Sequence, residues 1–118
     1  MDISNKKIER KYIFRGFDAI GDKKWVYGDL SHNQKVTETG LEPRVMVGGY
    51  EVVPESVGMW TGLKDKNGNL IYEKCELDNK YIVVYKAPSF VGIDIKNNKI
   101  INLYNNEHTI TNTYSKIS

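Results

Sequence analysis

The apolar residues of this chain never keep a helical rhythm. No window of about eleven residues repeats them every roughly 3.6 positions. They fall instead into short runs of alternating or clustered character, separated by Gly, Asn, Asp and Pro. Residue choice agrees with that pattern. Val, Ile, Thr, Tyr, Phe and Trp together supply 41 of the 118 residues, whereas Ala occurs twice and Leu six times. Side chains that are branched at Cβ or aromatic suit a pleated, half-buried surface, and good helix formers other than Lys and Glu are scarce. The 10 Gly and 11 Asn tolerate the positive φ that tight turns demand. The chain is therefore expected to be all-β.

Length and charge narrow the class. A chain of 118 residues supports one domain with a modest core. Seventeen basic residues against fifteen acidic ones leave +2, too balanced for a polybasic nucleic-acid protein or an acidic mimic of DNA. The single cysteine excludes an intramolecular disulfide framework and a Cys-type structural zinc site. No run approaches the roughly 18 apolar residues of a membrane span. The lysines near the N-terminus precede no apolar core, so no signal peptide is expected. These features predict a cytoplasmic protein with no membrane contact. Ile, Lys, Asn and Tyr, all encoded by AT-rich codons, make up 45 residues and suggest an AT-rich bacterial or phage genome.

Strands are predicted at 12–17, 25–30, 45–53, 57–61, 70–73, 80–85, 90–95, 99–104 and 108–114, after a loose arm at 1–10. Residues 31–44 are polar, without a clear period, and are expected to form a variable loop that holds at most a short irregular strand around Val36. Gly48-Gly49 predicts a bulge or barrel corner. Asn67-Gly68 predicts a type I′ hairpin turn, and Asn97-Asn98 a second tight hairpin. Pro54 is the one candidate seam, with too little chain on either side for independent domains. Short strands joined by short turns point to a small barrel or two packed sheets of short antiparallel strands, in a single β domain over 1–118.

Four stretches carry a resemblance: Phe14-Arg15-Gly16-Phe17-Asp18, Lys24-Trp25-Val26-Tyr27-Gly28-Asp29-Leu30, Val57-Gly58-Met59-Trp60-Thr61-Gly62-Leu63-Lys64-Asp65-Lys66-Asn67-Gly68, and Ile71-Tyr72-Glu73. In order and spacing they resemble the YopX family of phage and prophage proteins. The resemblance runs from about residue 12 to about residue 114. It implies an all-β protein carried by temperate phages and mobile elements, with no established biochemical activity, and so supplies a fold class and a genomic setting but no catalytic residues. The pattern departs after Tyr72-Glu73. Where the family continues with Gly-Asp and an aliphatic pair, Lys74-Cys75-Glu76-Leu77 stand here.

No catalytic constellation is legible. Cys75, His32 and His108 are the only thiol and imidazoles, and Cys75 reads best as a small buried hydrophobe. Glu73, Glu76 and Asp78 do not fit a calcium-loop spacing, so no metal and no cofactor is expected. Gly48-Gly49 lacks the residues of a phosphate cradle. A binding surface is the remaining role. Candidate contact residues are Arg15, Lys24, Trp25 and Tyr27 on the first hairpin, and Met59, Trp60, Lys64 and Lys66 in the family-like motif. The expected function is that of a non-catalytic phage accessory protein. Its expected target is a host protein or ribonucleoprotein, such as part of a nuclease-based defence system. Covered strand edges would make it a homo-oligomer. The alternative is a single-stranded nucleic-acid binder, because basic and aromatic residues interleave over 11–27.

Overall fold

A computed structural model describes residues 13–18 and 20–115. The expected arm at 1–10, together with Lys11 and Tyr12, lies outside them. The described chain is built of twelve strands in antiparallel sheets, none closed into a barrel, so packed sheets replace the barrel alternative. It divides into two compact units, Met1–Met59 and Trp60–Ser118.

In the first unit, β1 (Phe14–Phe17) and β2 (Trp25–Gly28) form the predicted hairpin, with Phe14 opposite Gly28 and Phe17 opposite Trp25. β3 (Leu30–Thr37) and β4 (Gly40–Val47) follow, then β5 (Tyr50–Glu51) and one turn of 3-10 helix at Pro54–Ser56. The start of β6 (Gly58–Lys64) pairs with β1. Alternation along β1 and β2 directs Phe14 and Val26 to one face. There Val26, Val47 and Val52 form the core, flanked by Phe14, Leu30, Val45 and Val57. Gly16 is required at this contact: a Cβ there would lie 2.8 Å from Cβ of Val52.

The segment 31–44 is a correction to the sequence reading. It forms most of a regular hairpin, with eight register pairs from Leu30 opposite Val47 to Thr37 opposite Gly40. Its period was hidden because His32 and Gln34 separate the two apolar residues of β3, Leu30 and Val36, and Pro43 reads as a breaker. Pro43 sits where β4 pairs on one side only, the setting in which a strand tolerates a missing N–H. Gly48-Gly49 likewise is neither bulge nor barrel corner. With Val47 opposite Tyr50 and φ of +57° and +87°, the two glycines are the central pair of a two-residue turn between β4 and β5.

In the second unit, the remainder of β6 pairs with β7 (Leu70–Tyr72). A five-stranded sheet has the order β11 (Ile100–Asn102), β10 (Ser89–Asp94), β9 (Tyr81–Lys86), β8 (Glu76–Leu77), β12 (Ile110–Asn112). Ile71, Tyr72, Cys75, Leu77, Val83 and Val91 are buried. β8 escapes the sequence because two residues carry no period. The pairing of β6 with β7 slips between Trp60 and Lys64, a bulge centred on Gly62 at φ +87°. Thr61 holds it open: its hydroxyl donates to the carbonyl of Ile71 and accepts from the N–H of Leu63.

Neither predicted tight turn has the expected form. Of Asn67 and Gly68, only Gly68 takes a positive φ, and the loop closes between Asp65 and Asn69. This is a type I turn followed by a left-handed glycine, the three-residue hairpin loop. At Asn97-Asn98 a wider loop closes between Asp94 and Lys99.

Candidate functional site

Buried acids and imidazole are the first place to look for chemistry, and each is already engaged. Asp65, 1% exposed, accepts backbone N–H groups of Asn67 and Asn69 at one oxygen and that of Ile110 at the other. Burial pushes its pKa up, but those three donors outweigh burial and hold it below the usual carboxylate range. Asp18 does the same for the first unit, accepting from Ile20, Gly21 and Asp22. The donors at Gly21 and Ile20 lower its pKa most. Asp94 accepts from Lys96 and faces the Lys80 ammonium at 3.7 Å. These three carboxylates fix loops.

His108, 8% exposed, is held from both sides. Its Nδ1 lies 2.8 Å from Oδ2 of Asp78, and Nε2 accepts from the N–H of Tyr104 at 3.4 Å. Asp78 also accepts from the N–H of Thr109. Partial burial raises the pKa of Asp78, while the His108 and Thr109 hydrogen bonds bring it down on balance. An imidazole engaged at both nitrogens has no free lone pair to deprotonate a nucleophile. Cys75 is 1% exposed, as its reading as a small hydrophobe requires. Among the described residues, no three His, Cys, Asp or Glu side chains are placed to hold a metal ion.

The residues singled out on the first hairpin separate into two kinds. Arg15, expected at the surface, is 2% exposed, and its guanidinium carbon lies 4.2 Å from the centre of the Trp25 ring. Arg15 and Trp25 sit diagonally across the β1–β2 ladder on one face, which brings a long side chain over the ring. Phe17 packs edge-on against the same indole at 5.6 Å. Arg15 and half-buried Trp25 thus form an internal stack, while Tyr27 stays exposed and Lys24 pairs with Asp22 at 3.6 Å. In the family-like motif, Met59 is exposed, and the Trp60 indole N–H donates to the carbonyl of Leu63 within the bulge. Lys64 and Lys66 are exposed beside the Asp65 turn, each with its backbone N–H bonded to the 105–108 stretch.

A surface the sequence reading passed over stands out instead. Opposed residues of an antiparallel pair share a face, so Leu30, His32, Gln34, Val36, Leu41, Pro43, Val45 and Val47 line one side of the β3–β4 hairpin. The base of that face enters the core through Leu30, Val45 and Val47. Its outer half has no such cover. Val36 is 84% and Leu41 62% exposed, and the two are directly opposite near the tip. The signal was present: Leu41, Pro43, Val45 and Val47 alternate without a break along β4. On the other side of the same hairpin, Arg44 and Met46 join Ile20, Asp22, Tyr50 and Glu51 around an open cleft of about 310 Å³.

No family model and no curated protein matches the chain. Among the described residues, no helix is long and apolar enough to cross a membrane.

Proposed function

We propose that this is a non-catalytic accessory protein, of the phage and prophage kind its motifs resemble, that acts by binding a host component through the β3–β4 hairpin. One observation carries the reading: beyond the core that covers the base of that hairpin, Val36 and Leu41 face each other at its tip, both exposed. Burying a Val or a Leu is worth roughly 1.5–3 kcal/mol each, and Val36 and Leu41 leave that gain unrealised in the isolated chain. A strand of eight residues reaches about 26 Å, long enough to present a tip to a partner. The satisfied imidazole and buried thiol support a binding role over a catalytic one. In a phage setting, the target class is a host protein or ribonucleoprotein, such as part of a nuclease-based defence system.

The test is retention of host proteins on the immobilised full chain, read beside phage plating with and without the gene. Val36→Asp with Leu41→Asp should abolish both the retained partner and the plating effect. A doubly substituted protein that keeps partner and phenotype would refute the reading.

A further inference from the structure

The hairpin offers side chains on its face and backbone along its edge. β3 is the end strand of its sheet and eight residues long, whereas the other described end strands, β2, β5, β7, β11 and β12, have two to four. The register shows which of its groups face outward. Thr37 and Gly40 flank the two-residue turn Glu38-Thr39 and so form a hydrogen-bonded pair. Alternation then turns Ser31, Asn33, Lys35 and Thr37 toward β4, and the N–H and C=O of Leu30, His32, Gln34 and Val36 away from it. The far side of β4 agrees: the carbonyl of Val45, the residue opposite His32, accepts from the N–H of Val52. Among the described residues, none bonds to that outward row. The usual guards of an edge are also missing. β3 has no proline, its ladder has no bulge, and its one cation, Lys35, lies 3.3 Å from Glu51. The opposite edge of the hairpin is guarded, because Pro43 places its missing N–H on the side away from β3.

We infer that this edge pairs with β3 of a second copy of the chain, antiparallel about a twofold axis at Asn33. Residues whose groups face outward must meet each other across such a seam. Centred on Asn33, Leu30 meets the partner's Val36 and His32 meets the partner's Gln34, so the whole outward row is used. Moving the axis by one residue either way leaves Leu30 or Val36 overhanging. Side chains match in the same register. Apolar meets apolar, imidazole meets amide, Lys35 meets Ser31, and no like charges are opposed. On the apolar face, Leu41 and Val36 run on into the partner's Leu30 and Val47, where its core begins. The contact is the same patch on both copies and closes as a dimer. It goes beyond the hairpin reading and does not rest on it, since the edge pairs and the face stays open.

Sedimentation of the full chain at micromolar concentration should give a dimer. Gln34→Pro removes an outward N–H that the fold does not use, so it should sediment as a monomer with its thermal melt retained. Should that variant melt low, cysteine crosslinking decides. Asn33→Cys sets two thiols side by side at the axis, where Cα atoms approach to about 4.5 Å, and mild oxidation should join two chains. Ser31→Cys should not, because its two thiols stand four residues out of step, about 13 Å. Cys75, 1% exposed, stays out of the reaction. A wild-type monomer, a dimer that survives Gln34→Pro in a normally melting protein, or crosslinking at 31 and not at 33 would overturn the inference. So would a monomer whose His32 and Gln34 amides gain exchange protection only in bacterial extract, which would assign the edge to an extended segment of another protein. The hairpin reading is tested on retained host protein, so either can fail alone.

Discussion

The guanidinium carbon of Arg15 lies over the indole of Trp25, 4.2 Å from the ring centre, at a position almost wholly removed from solvent. A basic residue beside aromatics, which in the sequence suggests contact with bases and phosphates, here holds β1 and β2 together. A desolvated cation–π pair is worth about 2 kcal/mol. Arg15→Ala should destabilise the protein by at least about that much, with a loss of blue-shifted tryptophan emission on the same urea transition. A change within experimental error would mean the stack contributes nothing.

Asp65 accepts three backbone N–H groups, one of them from Ile110 in a strand 45 positions away. Truncation to Ala leaves those donors without their acceptor, at about 1–3 kcal/mol for a buried group. Asp65→Ala should therefore cost about 3 kcal/mol in chemical denaturation. Asp65→Asn, which keeps one acceptor oxygen, should cost less. Equal losses in the two variants would show that the oxygen is not what matters.

Three aspartates, Asp18, Asp65 and Asp78, have folded pKa values below the ordinary 3.8. Near and below that value the unfolded chain binds more protons than the folded one, so stability rises with pH there. The contribution is complete above about pH 5 and is lost as pH falls through the lower folded values. Calorimetry should find a melting temperature nearly flat from about pH 7 to 5 and dropping below about pH 4. The drop should be shallower in Asp65→Asn, which has one fewer group to protonate.

The arm should be separable from the fold. Val36 and Leu41 face solvent, so Val36→Asp and Leu41→Asp should each move stability by no more than about 0.5 kcal/mol. A thermal melt checks this on the same protein used for binding. A large destabilisation would place these side chains inside the structure and remove the basis for an interaction surface.

Gly48 and Gly49 both have positive φ, but their surroundings differ. A Cβ on Gly48 would collide with the carbonyl of Tyr27, whereas one on Gly49 would point into open space. Both alanine variants carry the backbone strain of a left-handed residue, about 1–2 kcal/mol. Only Gly48→Ala adds the clash and should be the worse of the two by at least about 1 kcal/mol. A reversed order in denaturant midpoints would contradict the placement of β2 against this turn.

What the sequence revealed depended on whether the signal was local. β9 and β10 were legible because runs such as Tyr81-Ile82-Val83-Val84-Tyr85 are long and β-branched. The β3–β4 hairpin was not, because His32 and Gln34 separate the two apolar residues of β3 and Pro43 in β4 reads as a breaker. Asp65 drew no notice, since nothing near it in sequence announces the Ile110 N–H. Arg15 looked like a surface cation because its burial follows from a diagonal pairing fixed only once β1 and β2 are in register. Val36 and Leu41 went unnoticed because each is an ordinary residue, and their meaning lies in facing each other beyond the end of the core.

The solitary sulfur of Cys75 is enclosed in the second unit, at 1% exposure, and no other thiol exists anywhere in the chain. A thiol-specific reagent can therefore attack only when that unit opens, and its labelling rate becomes a clock for that event alone. Read alongside Trp25 emission from the first unit in a Trp60→Phe variant, it tells whether the two units unfold together or one at a time.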